Sequence, residues 1–303
     1  MKRNKLVVIF GPTATGKTRL AARLAFRFGG EIISADSRQV YRGMNIGTGK
    51  DYEDYVVSGS KIPAHLIDIA EPTEEYNLAR FIEDFNRSLS EITERDKLPF
   101  LVGGTMLYIH AVLTNYKLAK VSHEPSKTEE YKKQPIEFLR KKLLALNPEQ
   151  HNTTDLLDKE RLIKALLIAE TDDAEIISPA KTETLNICIL PEREIIYSRI
   201  DERLEKRLKS GMIEEVERLI KNGVNYDKLD FFGLEYRYVG KYLRGELNYN
   251  DMKQKLASAI KKFAKRQITW IRKIQKEGIE INFLNSPDEK ISAELIREFI
   301  SDD

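Results

Sequence analysis

The chain has 303 residues, 32% charged and 41% hydrophobic, with 50 Lys and Arg against 48 Asp and Glu for a net charge of +2. That suits a soluble globular protein of one large domain with an elaboration, or of two domains, and leaves the choice of partner to how charge is distributed. No apolar run approaches the roughly 18 residues of a membrane helix, and a single cysteine, Cys188, excludes an internal disulfide or a thiolate zinc cluster.

In chain order, Met1-Lys2-Arg3-Asn4-Lys5 and the apolar residues 6–10 superficially resemble a secretion signal. The apolar stretch is too short for one and runs straight into a glycine-bearing motif, so it reads as a first buried strand and the expected location is the cytoplasm. The motif is Gly11-Pro12-Thr13-Ala14-Thr15-Gly16-Lys17-Thr18, a complete G-x-x-x-x-G-K-T phosphate loop at a strand-to-helix junction. Gly11 and Gly16 let the backbone curl so that successive N–H groups point at phosphate oxygens, and the following helix adds its positive end. Lys17 supplies a point charge and the Thr18 hydroxyl a ligand for Mg²⁺. The loop alone indicates a polyphosphate and leaves open which one, ATP included.

A helix over Lys17–Phe28, closed by Gly29-Gly30, leads to a strand over Glu31–Ala35. That strand delivers Asp36-Ser37-Arg38-Gln39 to the carboxyl edge of the sheet, where open α/β sheets bind ligands. Asp36 there could hold Mg²⁺ through water, act as a base toward an acceptor, or cap a loop. Gln39, Tyr41 and Gly47-Thr48-Gly49-Lys50 belong to a loop-like stretch, 42–59 with its approach, able to surround a ligand. A short apolar stretch at 65–69, a helix over 77–95 and a strand over 99–102 follow. Gly103-Gly104-Thr105 then opens a helix over Met106–Leu113. No Asp follows Phe100-Leu101-Val102, which counts against an ATP-hydrolysing motor. The alternation predicts an α/β fold, a P-loop NTPase-like parallel sheet flanked by helices.

Residues 115–182 are polar and charged, with breaks at Pro125, Pro135 and Pro148, and read as an all-helical insertion domain in a core of 1–114 and 183–303. Its expected helices cover Ile136–Leu146 and 154–170, the second capped by Thr153 or Thr154. A strand over 185–190 returns to the sheet. Helices over 192–222, about 236–243 and 251–277, a strand over 278–284 and a terminal helix complete the chain. The histidines (His65, His110, His123 and His151) lack metal-ligand spacing and read as structural.

Between Arg237 and Lys276 twelve basic residues are opposed only by Glu246 and Asp251. On a helix over 260–276, Lys261, Lys262, Lys265, Arg266, Arg272, Lys273 and Lys276 fall within an arc of about 140°. Ile260, Phe263, Ala264, Gln267, Trp270, Ile271 and Ile274 fall on the other side, so Phe263 and Trp270 read as core. Solvated faces usually interleave both signs, and a face of cations alone points to a phosphate backbone.

Several segments together resemble the tRNA dimethylallyltransferase family, the tRNA isopentenyltransferases, in its bacterial form. They are Gly11 to Thr18, Asp36 to Tyr41 (DSRQVY), Ile46-Gly47-Thr48, His65-Leu66-Ile67-Asp68 and Gly103 to Tyr108 (GGTMLY). Further on come RLIKA from Arg161, Arg199 to Arg203, GMIEEV from Gly211, and AKRQITW from Ala264 to Trp270. The resemblance spans nearly the whole chain in order. It implies a phosphate-loop core with a helical insertion that grips the anticodon stem-loop of tRNA, and Mg²⁺ as cofactor; a monomer is the expected state. It further implies transfer of a dimethylallyl group from dimethylallyl diphosphate to N6 of the adenosine at position 37, 3′ of the anticodon, with release of diphosphate.

Carried over by motif, Asp36 accepts the N6 proton, Thr13 to Thr18 contact the diphosphate, and Arg203 matches an arginine on it. Contacts to tRNA are implied for Asp36, Ser37, Arg38, Gln39 and Thr105. They are also implied for Glu160, Arg161, Leu162, Ile163 and Lys164, and for Phe232, Tyr236 and Arg237. The basic helix adds Lys261, Lys262, Lys265 and Arg266. This chain departs from the family pattern at Ala64, at Gly49-Lys50-Asp51, at Lys164, and across 231–237, where Glu235 replaces a glycine. A small-molecule kinase would use the same loop but has no need of the basic helix. A prenyltransferase acting on free adenine nucleotides leaves the insertion without a role, and a non-catalytic RNA-binding module leaves the loop and Asp36 without one.

Overall fold

The structure, a computed structural model, describes residues 4–120, 125–146, 156–170 and 175–301. The chain divides into two compact units, Met1–Tyr116 with Pro179–Asp303, and Lys117–Ser178. The larger unit opens with β1 (Lys5–Phe10), α1 (Lys17–Phe28) and β2 (Glu31–Ala35). The loop-like stretch contains a 3-10 turn at Tyr52–Tyr55 and a small hairpin of β3 (Val56–Val57) and β4 (Ser60–Lys61). Next come β5 (Ala64–His65), α2 (Leu78–Glu94), β6 (Pro99–Gly103) and α3 (Met106–Leu113). The second unit holds β7 (Leu118–Lys120), α4 (Pro125–Lys133), α5 (Ile136–Leu146), α6 (Lys159–Ala169) and β8 (Glu175–Ile177). The chain then returns through β9 (Glu183–Ile189), α7 (Arg193–Lys209), α8 (Met212–Lys221) and α9 (Tyr226–Phe232). It ends with α10 (Leu234–Leu243), α11 (Tyr249–Lys276), β10 (Asn282–Leu284) and α12 (Glu289–Ser301).

Six parallel strands form the main sheet in the order β10-β9-β1-β6-β2-β5. Strand β1 is central, so it needs apolar residues on both faces. Val7 and Ile9 pack with Leu20 and Leu24 of α1 and with Ala293 and Ile296 of α12. Leu6, Val8 and Phe10 point the other way and are equally buried. Each such side chain contributes about 1.5–3 kcal/mol relative to exposure. The register sets Phe10 beside Gly103 and Cys188, and Gly103 beside Ala35. The turns after four strands therefore open on one carboxyl edge, where the phosphate loop, Asp36 and Thr105 lie.

The second unit has its own core, in which Tyr131, Leu139 and Leu143 pack with Leu162, Ile163, Leu166 and Leu167. Strands β7 and β8 pair antiparallel at its two ends, so the unit is not all-helical as expected from sequence.

Other sequence expectations shift in identifiable ways. The helix over 192–222 is two, because Gly211 adopts a left-handed backbone (φ +96°) that ends one and starts the next. Helix α6 begins at Lys159, with the Asp158 side chain accepting the Arg161 N–H at 3.0 Å; Thr153 and Thr154 lie outside the described residues. The stretch 65–69 reduces to the edge strand β5, and the last strand starts only at Asn282. Helices α4 and α9 carry no clear sequence signal, being short and highly charged or turn-like. Among the described residues no helix is long and apolar enough to cross a membrane.

Candidate active site

The phosphate loop is held by close backbone packing and by its own hydrogen bonds. Gly11 has φ +155°, and a Cβ on it would sit 2.4 Å from the Ile189 carbonyl at the end of β9. The buried Thr15 hydroxyl donates to the Pro12 carbonyl at 3.0 Å, fixing the curl from within. Helix α1 starts at Gly16 (φ +81°) without a side-chain cap, which leaves its first-turn N–H groups for an anion.

Two cations bear on the loop. Lys17 Nζ donates to the Pro12 carbonyl at 3.2 Å, and burial pushes its pKa down to about 8, with Asp36 opposing and Arg203 adding to the shift. Arg203 of α7 donates to the Thr13 hydroxyl. Burial, and then Arg207 one turn later, lower Arg203 to about 9, while Glu235, Asp51 and Asp36 oppose. Both cations are poorly hydrated, and among the described residues neither forms an ion pair, the condition of a site built for an anion.

Asp36 leaves the end of β2 on the same edge. Its Oδ1 accepts the Arg38 N–H at 2.9 Å, which leaves Oδ2 available to an acceptor. Thr105 ties this turn to the end of β6. Its Oγ1 accepts the Ser37 N–H at 2.9 Å, its hydroxyl donates to Ser37 Oγ at 3.3 Å, and its own N–H donates to the Ala35 carbonyl at 3.1 Å. Gln39 extends the brace, donating through Nε2 to the Gly49 carbonyl at 3.1 Å. Thr105, Ser37 and Gln39 thus have structural partners here, whatever they touch in a complex.

The 45–49 loop is pinned from behind by Glu215 of α8, 2% exposed. Its carboxylate accepts the N–H groups of Asn45 (2.9 Å), Ile46 (2.7 Å) and Gly47 (3.0 Å) and the Tyr236 hydroxyl (2.8 Å). Arg207 donates to the Gly47 carbonyl at 3.3 Å and pairs with Glu235 at 3.3 Å. Glu235 is therefore turned to a buried arginine. Removing the Glu215 carboxylate strands four donors in the interior. Glu215→Ala is expected to cost about 3–5 kcal/mol of stability, read as a lowered urea midpoint; a loss under about 1 kcal/mol would mean that water replaces it.

Burial corrects four of the residues expected at an RNA surface. Phe232 and Tyr236 are each 1% exposed, Phe232 packing edge-on against Tyr41 at 4.9 Å. Leu162 and Ile163 lie in the core of the second unit at 0% and 3%. A motif match marks a segment, but only one face of a helix reaches solvent. The exposed members are Arg237, and Glu160, Arg161 and Lys164 of α6. In the 231–237 segment the exposed aromatic is Phe231, with the Arg38 guanidinium 4.8 Å above its ring.

The basic face of α11 is less one-sided than its sequence. Lys261 pairs with Asp201 of α7 at 2.6 Å, and Lys273 with Glu277 at 3.7 Å. Lys262, Lys265 and Arg266 remain exposed. Lys261, Lys262 and Lys265 line a groove of about 550 Å³ with Tyr197, Gln254 and Ser258. Phe263, expected in the core, is 38% exposed with Arg266 over its ring at 5.7 Å, and Trp270 is half-buried beside His110. His110 meets Glu277, and His65 meets Glu31, each at 2.7 Å.

Sequence reasoning passes over Gln267, which falls on the apolar side of α11 without a role. It is 4% exposed and bonded to both Thr13 and Gly104. A lone amide among Ala264, Ile271 and Ile274 is the signal available.

A phosphate loop with two poorly hydrated cations, facing a carboxylate across one sheet edge, defines an enzyme that moves a group off a polyphosphate. The comparisons specify the class. The IPP transferase family profile matches residues 39–274, and the isopentenyl transferase profile matches 4–63. The tRNA dimethylallyltransferase 1 of Syntrophus aciditrophicus is 46% identical over 296 residues, covering 96% of this chain and 97% of that protein. That of Geotalea uraniireducens is 47% identical over 295 residues, covering 96% and 97%. Among solved structures, the full-length tRNA isopentenylpyrophosphate transferase of Bacillus halodurans superposes with a TM-score of 0.71 at 32% identity, covering 99% of this chain and 96% of that one. A eukaryotic dimethylallyltransferase acting on tRNA shares the fold, with a TM-score of 0.81 at 21% identity, covering 98% and 79%. The chain belongs to the IPP transferase family, that of the tRNA dimethylallyltransferases, and is a prenyl-transferring enzyme.

Proposed function

We propose that this enzyme transfers a dimethylallyl group from dimethylallyl diphosphate to N6 of the adenosine at position 37 of tRNA, 3′ of the anticodon, acting as a cytoplasmic monomer. The observation that carries the reading is Asp36 standing on the same sheet edge as the phosphate loop. In the step, N6 attacks the allylic C1, the C1–O bond breaks, and diphosphate leaves with the electron pair. The N6 proton passes to the Asp36 carboxylate, which a weakly nucleophilic amine requires as its new bond forms. Open N–H groups of the loop and of α1, with Lys17 and Arg203, meet the growing charge on the leaving diphosphate. An adenosine in a loop is cheaply unstacked, so it can reach a site between strand ends.

For Mg²⁺, the Thr18 hydroxyl and the Asp36 carboxylate are the candidate ligands. One hydroxyl and one carboxylate suit an ion that keeps waters and rides on substrate phosphates rather than an all-protein cage. When bound, it would neutralise charge on the leaving diphosphate.

RNA contacts are assigned to the half-buried Arg38 and the exposed Arg237 near the site, and to the exposed Lys262, Lys265 and Arg266 on α11 and Glu160, Arg161 and Lys164 on the second unit. Lys262→Glu with Lys265→Glu is expected to weaken tRNA binding and to lower the slope of log affinity against log salt by about one for each phosphate that is no longer neutralised. An unchanged slope would return that face to ordinary solvated surface. The acceptor assignment is tested with an anticodon stem-loop carrying inosine for the adenosine at position 37. No alkylation of that RNA is expected, and alkylation at the usual rate would exclude N6 as the acceptor.

A further inference from the structure

Gln267 sits on the inward face of α11 among fully buried Ala264, Ile271 and Ile274. A leucine or methionine would fill that position without a polar group to satisfy, and a buried amide costs stability unless both its ends are paired. Both are. Oε1 accepts the Thr13 N–H at 3.0 Å, and Nε2 donates to the Gly104 carbonyl at 2.7 Å. One side chain therefore links the phosphate loop after β1 to the turn after β6.

The neighbourhood is cut to fit this link. A Cβ on Gly104 would come 3.0 Å from Gln267 Nε2 and 3.5 Å from Lys17 Nζ. Thr13 is also held through its hydroxyl by Arg203. We propose that Gln267 is a positioning residue for the phosphate loop, fixing Thr13 from α11 while Arg203 fixes it from α7, so that the loop's remaining N–H groups are aimed before a diphosphate arrives. Donors held in place in advance need not reorganise when charge develops. The proposal rests on the reading that this loop holds the donor's diphosphate.

The test uses Gln267→Leu, which keeps the volume and removes both hydrogen bonds, and Gly104→Ala, which keeps Gln267 but crowds it. Inorganic diphosphate binding with Mg²⁺ is measured by calorimetry, alongside the KM for dimethylallyl diphosphate, kcat, tRNA affinity and the thermal midpoint. Both variants are expected to weaken diphosphate binding and raise donor KM by about tenfold or more, as the removal of two hydrogen bonds predicts. The fall in kcat should be smaller, and tRNA affinity should stay within about twofold. Wild-type diphosphate affinity in a folded Gln267→Leu variant would overturn the proposal. So would equal losses of diphosphate and tRNA binding in both variants, which would make the amide a general packing element. Wild-type protein with no affinity for diphosphate would instead remove the donor-site reading itself, and the proposal with it.

Discussion

Asp36→Asn is expected to lower prenyl transfer by about 10³-fold or more, toward the upper end of what a positioned base supplies, with tRNA affinity changed only a few-fold. The amide is isosteric and its oxygen can still accept the Arg38 N–H that fixes this turn at 2.9 Å, so the loop should keep its shape. What it loses is the ability to take a proton from N6. Single-turnover transfer and filter binding on the same variant separate the two effects. A large loss of tRNA binding would make Asp36 a recognition residue instead.

Lys17→Met is expected to lower kcat/KM by about 10²–10³-fold, the range for one donor aimed at developing charge. The wild-type pH dependence follows from the same residue. Burial holds Lys17 down to about 8 in the free enzyme, and only the ammonium form attracts the diphosphate. Donor affinity should therefore be full below pH 8 and fall as pH rises through it, by up to about tenfold per pH unit. Diphosphate titrations between pH 7 and 9.5 should show the step near 8 in the wild type, and Lys17→Met should lack it. A variant that keeps the step would assign it to another group.

The parts of the site that sequence made legible are those in which a local pattern has one mechanical meaning. Gly11 and Gly16 of GPTATGKT require backbone angles few other residues adopt, and the apolar residues 6–10 before them have only a buried strand to form. Asp36 could be placed because the strand before it ends where the sheet's ligand edge must be. The rest depended on contacts between distant segments. Asp201 on α7 neutralises Lys261 across sixty residues, so the cationic arc read from α11 alone overstated its free charge. Phe232 and Tyr236 sit in a segment where the resemblance implies tRNA contacts, yet helix packing turns them inward and leaves Phe231 and Arg237 outside. Gln267 and Glu215 act on backbone groups more than a hundred residues away, and backbone acceptors and donors carry no signature in sequence.

The central claim is that the phosphate loop holds the leaving group of an alkyl transfer to an RNA adenine. Its most direct test is incubation with dimethylallyl diphosphate, Mg²⁺ and unmodified tRNA, followed by digestion and nucleoside analysis. N6-dimethylallyl adenosine, with one diphosphate released per group transferred, is the predicted result. No prenylated adenosine, together with ATP-dependent phosphorylation of a small molecule by the same protein, would contradict it.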